Sequence, residues 1–237
     1  MTARRPLRIA SAGSTLFGAR AAAAGHSGLN GAAEIAISTD HGHLLLERAR
    51  NGQLDADIII LPSDMILDLA ARGLADASNV VELGSVTIGA AVRQGALVPS
   101  VATTEDIKTT LLVAPEIVLT QAPTGEHLMR VIDHLGIMDN VKEKLKRFDK
   151  SVHVNAYLLD QPPGPLAFGP ATEIIAWADR GIVWCGPIAQ PHQVALPYSA
   201  ACLTGSSNKN AARDFLEFLK SALARACFAA TGVTTSG

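Results

Sequence analysis

The chain of 237 residues is poor in aromatic residues and in cysteine, and it has no large excess of charge of either sign. Aromatic residues make up 4% of the sequence and apolar residues 48%, so the core must be built mainly from aliphatic side chains. The formal net charge is −2, and the longest basic run, residues 142–150, is interrupted by acidic residues. This run is typical of a solvated helix face, and the charge balance argues against a nucleic-acid-binding surface.

Motifs that indicate a cofactor, a metal or covalent catalysis are also missing. Cys185, Cys202 and Cys227 form no C-x-x-C pair, so neither a zinc site nor a redox motif is indicated. We expect free thiols, while a disulfide between Cys185 and Cys202 stays open. The glycines follow neither a dinucleotide-binding nor a Walker pattern, and no serine lies in a G-x-S-x-G context. We therefore expect no cofactor.

No segment of the sequence is long and apolar enough to span a membrane, so we expect no membrane insertion. The N-terminal residues are basic but lack the apolar stretch of a secretion signal. The sequence as it stands therefore predicts a cytoplasmic protein, or a periplasmic one if a signal segment has been removed.

Short apolar runs alternate with amphipathic segments along the whole chain. The first runs are Leu7–Ala12, Glu34–Ser38 and residues 56–61, and a polar turn and a helical pattern follow each of them. This alternation predicts the α/β class with mainly parallel sheets. The clearest helix prediction is one continuous helix over residues 208–230.

The middle of the chain is less regular. We expect a charged helix over residues 138–147 and a strand over residues 152–159. The proline-rich residues 162–165 exclude a helix.

Two extended apolar segments, Val86–Ala96 and Val194–Leu203, have no turn residues of their own. We predict that they are strands crossing between two lobes. The first lobe is then discontinuous, with residues 1–86 and 200–237, and the second lobe contains residues 87–199 with the crossing strands. The C-terminal helix is predicted to return to the first lobe.

Three turns between a predicted strand and a predicted helix carry groups suited to an anion. Hydroxyls, backbone N–H groups and imidazoles at a helix N-terminus favour negative charge. In the second of these turns Ser38, Thr39 and Asp40 are the candidate N-caps. The predicted ligand contacts in the three turns are Ser14, Thr15, Thr39, Gly42, His43, Gln121, Ala122, Thr124 and Gly125.

His41 and His43 lie two residues apart in the second turn, and three roles are open to them. A metal site would need more ligands, and only Asp40 is near in sequence, so we predict no metal. The two histidines could be structural. As a third role, they could contact the ligand or act as acid and base, and we favour this one.

Several segments resemble the molybdate-type solute-binding proteins. The sequence Leu-Arg-Ile-Ala-Ser-Ala-Gly-Ser at residues 7–14 resembles the opening strand and first ligand loop of that family. Residues 51–58, Asn-Gly-Gln-Leu-Asp-Ala-Asp-Ile, resemble its Gly-x-x-Ala-Asp-apolar signature with one extra residue. Residues 169–174, 181–188 and 198–201 resemble a branch with a Ser/Thr-Glu-Ile step before a Gly-Pro-Leu-Pro turn, and residues 210–219 resemble the closing helix.

The resemblance implies a two-lobed α/β fold of the type II periplasmic-binding-protein kind, with two hinge strands and a small anion bound in the cleft. It places ligand loops at Ser14, around Gly42 and His43, and at residues 122–125. The tyrosine of the family falls near Phe168, and Tyr198 is a further predicted contact. For an exported member the implied partner is an ABC transporter permease.

Two departures from the family pattern bear on the ligand. A hydroxyl-rich triplet of the family is replaced by His41-Gly42-His43, and Phe168 has no hydroxyl to donate. Both departures favour an organic carboxylate over a tetrahedral oxyanion. Residues 152–165 are also too broken by proline to supply the usual helix of the family.

Two functions of different classes follow from the resemblance. One is a binding protein that closes over a small carboxylate. The other is a cofactor-independent isomerase, because aconitate isomerase resembles the same branch and moves a proton next to a carboxylate. His43 or His41 would carry that proton. The absence of a signal favours the enzyme, and the size of the family favours the binding protein.

Overall fold

A computed structural model describes residues 5–30 and 34–235. Residues 1–4, on which part of the expectation about a secretion signal rests, lie outside the described residues, as do 31–33 and 236–237. The chain forms two compact units, one containing the residues up to Val86 and from Leu196 onward, the other containing Thr87–Ala195. Within the described ranges, no helix has the length and apolarity needed to cross a membrane.

Strands and helices alternate through both units. In chain order they are β1 (Leu7–Ala12), α1 (Leu16–Asn30), β2 (Ile35–Asp40), α2 (Gly42–Arg50), β3 (Ile58–Pro62), α3 (Ser63–Ala71), β4 (Val81–Arg93), α4 (Thr104–Val113), β5 (Ile117–Thr120), α5 (Pro123–His134), α6 (Met138–Val141), β6 (Leu145–Phe148), α7 (Ser151–Asp160), β7 (Leu166–Pro170), α8 (Ala171–Ile175), β8 (Ile182–Pro187), β9 (Ala195–Cys202), α9 (Lys209–Leu219), α10 (Ala222–Ala229) and β10 (Val233–Thr234). Short 3₁₀ turns lie at Gly13–Thr15, Ala77–Asn79, Lys142–Lys144 and Ala178–Arg180.

The first unit is organised around parallel strands. β1 pairs in parallel with β2 and with β3, and β9 runs antiparallel to β3. The strand order is β2-β1-β3-β9-β4, and β10 pairs with β4. The core contains the aliphatic side chains of β1 and β3, and its buried aromatic members include Phe215 of α9, Phe228 of α10 and Tyr198 of β9.

The second unit has its own sheet and its own core. β6 and β7 flank β5, and both are parallel to it. β4 runs antiparallel to β7 and to β8, so the order is β8-β4-β7-β5-β6. The chain thus passes from the first unit to the second within β4 and returns at the start of β9. The α/β class and the two crossing strands predicted from the sequence are confirmed.

The predicted continuous helix over residues 208–230 is wrong. The helix breaks after Leu219, and a second helix starts at Ala222. Ser221 caps this second helix, because its hydroxyl accepts the backbone N–H of Ala224 at 3.2 Å. A serine N-cap inside an otherwise regular apolar pattern was the signal that the sequence prediction missed.

Two predictions for the middle of the chain, the extent of the charged helix and the strand over residues 152–159, are also wrong. The predicted charged helix ends at Val141, and Leu145–Phe148 forms β6 because it pairs with β5, a partner that local sequence does not reveal. The predicted strand over 152–159 is the helix α7, with Val154 and Leu158 buried on one face. The prolines that argued against a helix begin at Pro162, after α7 has ended.

Candidate functional site

The carboxyl ends of β1, β2 and β3 lie at one edge of the first unit's sheet, because these strands are parallel. At that edge each strand leads into a helix: β1 into α1 through the turn Gly13–Thr15, β2 into α2 at Gly42, and β3 into α3 at Ser63. β9 brings Tyr198 opposite Pro62 at the same edge. We call this the first carboxyl edge. It brings together the predicted contacts Ser14, Thr15, Thr39, Gly42, His43 and Tyr198.

The helices at this edge have no side-chain caps. Ala12, His41 and Pro62 occupy the N-cap positions of the 3₁₀ turn before α1, of α2 and of α3, and none makes a side-chain capping hydrogen bond. By contrast, a capping box closes the start of α4 with Thr103 and Asp106. The first N–H groups of an uncapped helix have no intrahelical partner, and they can bind an anion together with the helix dipole.

The cap predicted among Ser38, Thr39 and Asp40 is wrong, because β2 continues through Asp40 and makes His41 the N-cap. Asp40 instead accepts the backbone N–H of His41 at 2.9 Å and forms an ion pair with Arg48. The His41 hydrogen bond first, and Arg48 after it, hold the pKa of Asp40 below its ordinary value. The Asp40 charge is therefore already paired within the chain.

The imidazoles of His41 and His43 stack at the start of α2. Their ring centroids are 5.7 Å apart with an angle of 21° between the planes. His43 is exposed and His41 is half-buried. In the described part of the chain, no three His, Cys, Asp or Glu side chains come together as a metal site. The pair therefore offers ring nitrogens at an open helix N-terminus.

The hydroxyls at the first carboxyl edge differ in their availability. Thr15 is fully buried, and its hydroxyl lies 3.0 Å from that of Ser11 and donates to Ala12 O at 3.2 Å. The side chain of Thr15 is thus used inside the turn. Ser14 is half-buried at the same turn, and Thr39 is exposed.

A serine pair at this edge was not predicted from the sequence. Ser63 is the first residue of α3, and its hydroxyl lies 2.7 Å from that of Ser199 in β9. The pair lines a pocket of about 370 Å³ with Leu67 and Glu82 among its walls. The sequence pattern strand–Pro–Ser–Asp at residues 61–64 was a usable signal for Ser63. The role of Ser199 depended on the antiparallel pairing of β9. Tyr198, next to it, is 5% exposed and packs in the core of the first unit.

The second unit has a corresponding edge. The carboxyl ends of the parallel strands β5, β6 and β7 lead into α5, α7 and α8. The N-cap residues are Ala122, Lys150 and Pro170, and again none makes a side-chain capping hydrogen bond. We call this the second carboxyl edge, and it contains the predicted contacts Gln121, Ala122, Thr124 and Gly125.

The start of α5 packs closely on the end of β5. A Cβ atom on Gly125 would lie 1.8 Å from Thr120 O, so only glycine fits at this position. Thr124 is nearly buried, with its hydroxyl 3.5 Å from that of Thr120. Gln121 is exposed, and its backbone N–H donates to Phe148 O at 2.7 Å, which joins the ends of β5 and β6.

Phe168 lies in β7 with its ring 2% exposed in the core of the second unit, so the structure gives this side chain a packing role. That residues such as Ser14, His43 and Gly125 meet one ligand in a cleft stays a prediction.

A histidine–carboxylate pair at the second carboxyl edge was missed as well. Nδ1 of His153, in the first turn of α7, lies 2.5 Å from Oδ1 of Asp149 in the β6–α7 turn. Because the segment was predicted as a strand, the spacing of four residues between the two side chains carried no meaning. At the start of a helix, two side chains that are four residues apart are close enough to make contact.

The cysteines are free thiols, so the open question of a Cys185–Cys202 disulfide is answered in the negative. Burial raises the pKa of the Cys185 thiol to about 11, and burial also raises that of Cys202. Neither thiol is therefore suited to act as a nucleophile near neutral pH.

Comparisons with known proteins agree with this architecture. Residues 7–234 match the family model described as bacterial extracellular solute-binding protein. An aconitate isomerase from Pseudomonas sp is 28% identical over 166 residues, which are 70% of this chain and 62% of that protein's length.

Two solved structures share the fold. The periplasmic molybdate-binding protein of Azotobacter vinelandii has a TM-score of 0.75 and 15% identity, covering 98% of this chain and 100% of the other. A substrate-binding domain from Clostridium difficile, attributed to a molybdenum ABC transporter, has a TM-score of 0.76 and 17% identity, covering 98% and 99%. At these identities the structural matches establish the fold alone.

Proposed function

The chain belongs to the family of bacterial extracellular solute-binding proteins, and from that premise we propose that it binds a small organic carboxylate at its carboxyl edges. The observation that carries this proposal is the set of helix N-termini without side-chain caps at both edges. Each such terminus carries roughly half a positive charge and several N–H donors without intrahelical partners. An anion is attracted by this partial charge and accepts hydrogen bonds from these N–H groups.

The preference for a carboxylate rests on His41 and His43. Imidazoles lie at the start of α2, where the molybdate-type proteins that the sequence resembles have hydroxyls, and His43 is exposed to solvent. A protonated imidazole forms a charge-assisted hydrogen bond with a carboxylate oxygen, which is stronger than a bond between neutral groups. The exposed position makes the His43 ring accessible to a ligand from solvent.

A thermal-shift screen tests the proposal. The purified protein is heated with molybdate, sulfate, succinate, citrate, tricarballylate and trans-aconitate, each at matched ionic strength. A ligand at 100 times its Kd stabilises the folded state by about 2.7 kcal/mol. For a chain of this size that raises the Tm by roughly 5–10 °C.

We expect at least one of the carboxylates to raise the Tm by that amount and to bind in calorimetry. Tight binding of molybdate with no response to any carboxylate would contradict the proposal. Sodium chloride at the same ionic strength is the control for general salt effects on the Tm.

A second candidate is a cofactor-independent isomerase of a small di- or tricarboxylate. It is supported by the aconitate isomerase relative, although the match spans 62% of that protein's length. In this reading His43 or His41 removes and returns a proton next to a carboxylate. Incubation with trans-aconitate in D₂O, followed by proton NMR, tests it: turnover exchanges deuterium into the substrate and forms the cis isomer. Unchanged spectra after prolonged incubation would contradict the isomerase function and leave only the binding function as a proposal.

The family also suggests a partner. If the protein is exported, we propose that it delivers its carboxylate to an ABC transporter permease.

A further inference from the structure

We infer that the pocket lined by Ser63, Ser199 and Glu82 binds an ammonium group of the ligand. The carboxylate bound at the first carboxyl edge is then an amino carboxylate with its two charged groups at opposite ends. This inference rests on the proposed carboxylate-binding function and deepens it, because it names the substrate class. The pocket belongs to the first unit alone, since all its lining residues lie in that unit.

The pocket opens at the first carboxyl edge, beside the start of α3. Ser63 and Leu67 belong to α3, Glu82 belongs to β4, and Ser199 belongs to β9. Its volume of about 370 Å³ lies within the usual range for small-molecule sites. Leu67 is 63% exposed, so this apolar wall is accessible to a ligand from solvent.

The polar groups of the pocket can accept more hydrogen bonds than they can donate. The hydroxyls of Ser63 and Ser199 lie 2.7 Å apart and share one hydrogen bond, and Ser199 is 4% exposed. Each hydroxyl has one hydrogen and two acceptor positions, and the shared bond uses one of the two hydrogens. An ionised Glu82 only accepts hydrogen bonds. The ligand group that suits this set is a strong donor, and an ammonium group has three N–H donors and no acceptor.

The charge at the pocket is negative. Its lining, as given by the described part of the chain, contains Glu82 and no basic side chain. Glu82 is exposed, and among the described residues it has no ion-pair partner. By contrast, Asp68 of α3 is paired with Arg50 and Arg72. The Glu82 carboxylate therefore attracts a cationic ligand group and repels a second carboxylate.

The starts of α2 and α3 differ in charge. α2 has no acidic residue in its first turn, whereas α3 has Asp64, which is exposed. A carboxylate in the first turn offsets the positive end of the helix dipole. The start of α2, with His43, therefore keeps its attraction for the ligand carboxylate. The dipole of α3 opposes an ammonium group in the neighbouring pocket less strongly, because Asp64 offsets it.

The starts of α2 and α3 lie side by side. A Cβ atom on Gly42, the first residue of α2, would lie 3.5 Å from Cδ of Pro62 and 3.7 Å from Sδ of Met65 in α3. The axes of packed helices are usually about 8–10 Å apart. A ligand that reaches from the start of α2 to the pocket beside α3 therefore needs several bonds between its charged groups. An α-amino acid carries both groups on one carbon atom and is too short.

Calorimetry of the full chain with matched ligands tests the inference. The amino carboxylates 4-aminobutyrate, 5-aminopentanoate and 6-aminohexanoate are compared with butyrate, pentanoate and hexanoate, which lack the ammonium group. We expect at least one amino carboxylate to bind roughly tenfold more tightly than its partner, as expected for an added charge-assisted hydrogen bond. 2-Aminobutyrate, an isomer of 4-aminobutyrate with both charged groups on one carbon, should bind no better than butyrate.

Variants of Glu82 test the assignment of the pocket. Glu82→Gln should weaken binding of the preferred amino carboxylate by roughly three- to tenfold and leave binding of its partner unchanged. Glu82→Lys should reverse the preference, so that adipate binds better than the amino carboxylates. Glu34→Gln is the matched control, because Glu34 is exposed and precedes β2 at the opposite edge of the sheet, and it should behave as the parent. The Tm of each variant without ligand verifies that it is folded.

The outcomes separate the two proposals. If the parent binds none of these acids and none of the carboxylates in the thermal-shift screen, the proposed function fails and this inference fails with it. If the parent binds carboxylates, but no amino carboxylate more tightly than its partner, the inference alone is wrong. Equal affinity for 4-aminobutyrate and 4-hydroxybutyrate, or unchanged affinity of Glu82→Gln for the preferred amino carboxylate, would also overturn it.

Discussion

Ser206 donates its hydroxyl hydrogen to Oδ1 of Asp57 at 2.7 Å, and both side chains are buried in the first unit. The other carboxylate oxygen of Asp57 accepts the backbone N–H of Arg8 at 2.9 Å. One carboxylate therefore joins the start of β1, the residue before β3 and the segment before α9. Asp57 is the aspartate of the signature at residues 51–58, and its contacts give this motif a role in stability.

Replacing Asp57 should be costly. Asp57→Ala leaves two donors without their charged acceptor, and we expect a loss of about 2–5 kcal/mol in the free energy of unfolding by urea. Asp55→Ala is the control, because Asp55 is 75% exposed and its ion pairs are on the surface, so its loss should stay within about 1 kcal/mol. Equal stability of the two variants would show that the buried contacts contribute little.

The close approach at Gly125 predicts a second loss. Gly125→Ala would place a Cβ atom 1.8 Å from Thr120 O, so α5 must shift away from β5. We expect a cost of roughly 1–3 kcal/mol in urea unfolding, the usual range for overpacking. Gly28→Ala in α1 is the matched control. Its Cβ would meet nothing within 4 Å, and it should stabilise by up to about 1 kcal/mol. A harmless Gly125→Ala would mean that the two elements can separate freely.

The histidines of the first carboxyl edge are predicted to contribute to affinity. His43→Ala should weaken binding of the carboxylate found in the screen by roughly 1–3 kcal/mol, the range for a lost charge-assisted hydrogen bond. His41→Ala should have a smaller effect, because this ring is half-buried. Calorimetry measures both, with His134→Ala as the control. If both variants bind like the parent, the histidines are structural.

Acid should destabilise the folded protein in two separate ranges. Burial first, and then His134 and His127, lower the pKa of His192 from its ordinary value of 6.5. The unfolded chain therefore binds more protons than the folded chain just below pH 6.5, so stability falls as the pH drops through that range. Burial also lowers the pKa of His26, so its protonation destabilises the folded protein in the same pH range. The hydroxyl of Ser78 and its neighbours lower the pKa of Asp76 to about 2, so its contribution is lost only at much lower pH.

Urea unfolding at pH 7.5, 6 and 5 tests this prediction. His192 is 6% exposed, its Nε2 lies 3.2 Å from the Thr104 hydroxyl, and its backbone oxygen accepts a hydrogen bond from His127. His192→Gln should lose less stability than the parent between pH 7.5 and 5. His43→Gln, at an exposed position, should follow the parent. Parallel pH profiles for all three proteins would assign the acid effect to other groups.

Local sequence was most informative where pattern and turn residues agree. The apolar run Leu7–Ala12 before Gly13 and the run before Pro62-Ser63 predict strands followed by helices, and the structure has both. These predictions succeed because a buried parallel strand needs a continuous apolar run, and the helix after it starts at small or polar residues. The same reasoning located most of the strand–helix turns that form the two carboxyl edges.

Other features depended on partners far away in sequence. Leu145–Phe148 is a strand because it pairs with β5. The residues around it are charged, so the local sequence shows no apolar pattern that would indicate this pairing. Once β6 is a strand, Asp149 becomes a turn residue and His153 becomes part of a helix start, so their contact exists only in the folded chain. Likewise, Ser63 and Ser199 meet because β9 runs antiparallel to β3.

The α/β class, the two crossing strands, the aliphatic cores and the family follow from hydrophobic periodicity and from ordered motifs along the chain, so they could be predicted before folding is considered. Three further features become visible in the folded chain: which helix starts lack side-chain caps, the burial of the Phe168 ring and the Thr15 hydroxyl, and the contact of Asp149 with His153. Capping, burial and ring orientation are set by atoms that approach from other strands and turns, and no local window of sequence contains them.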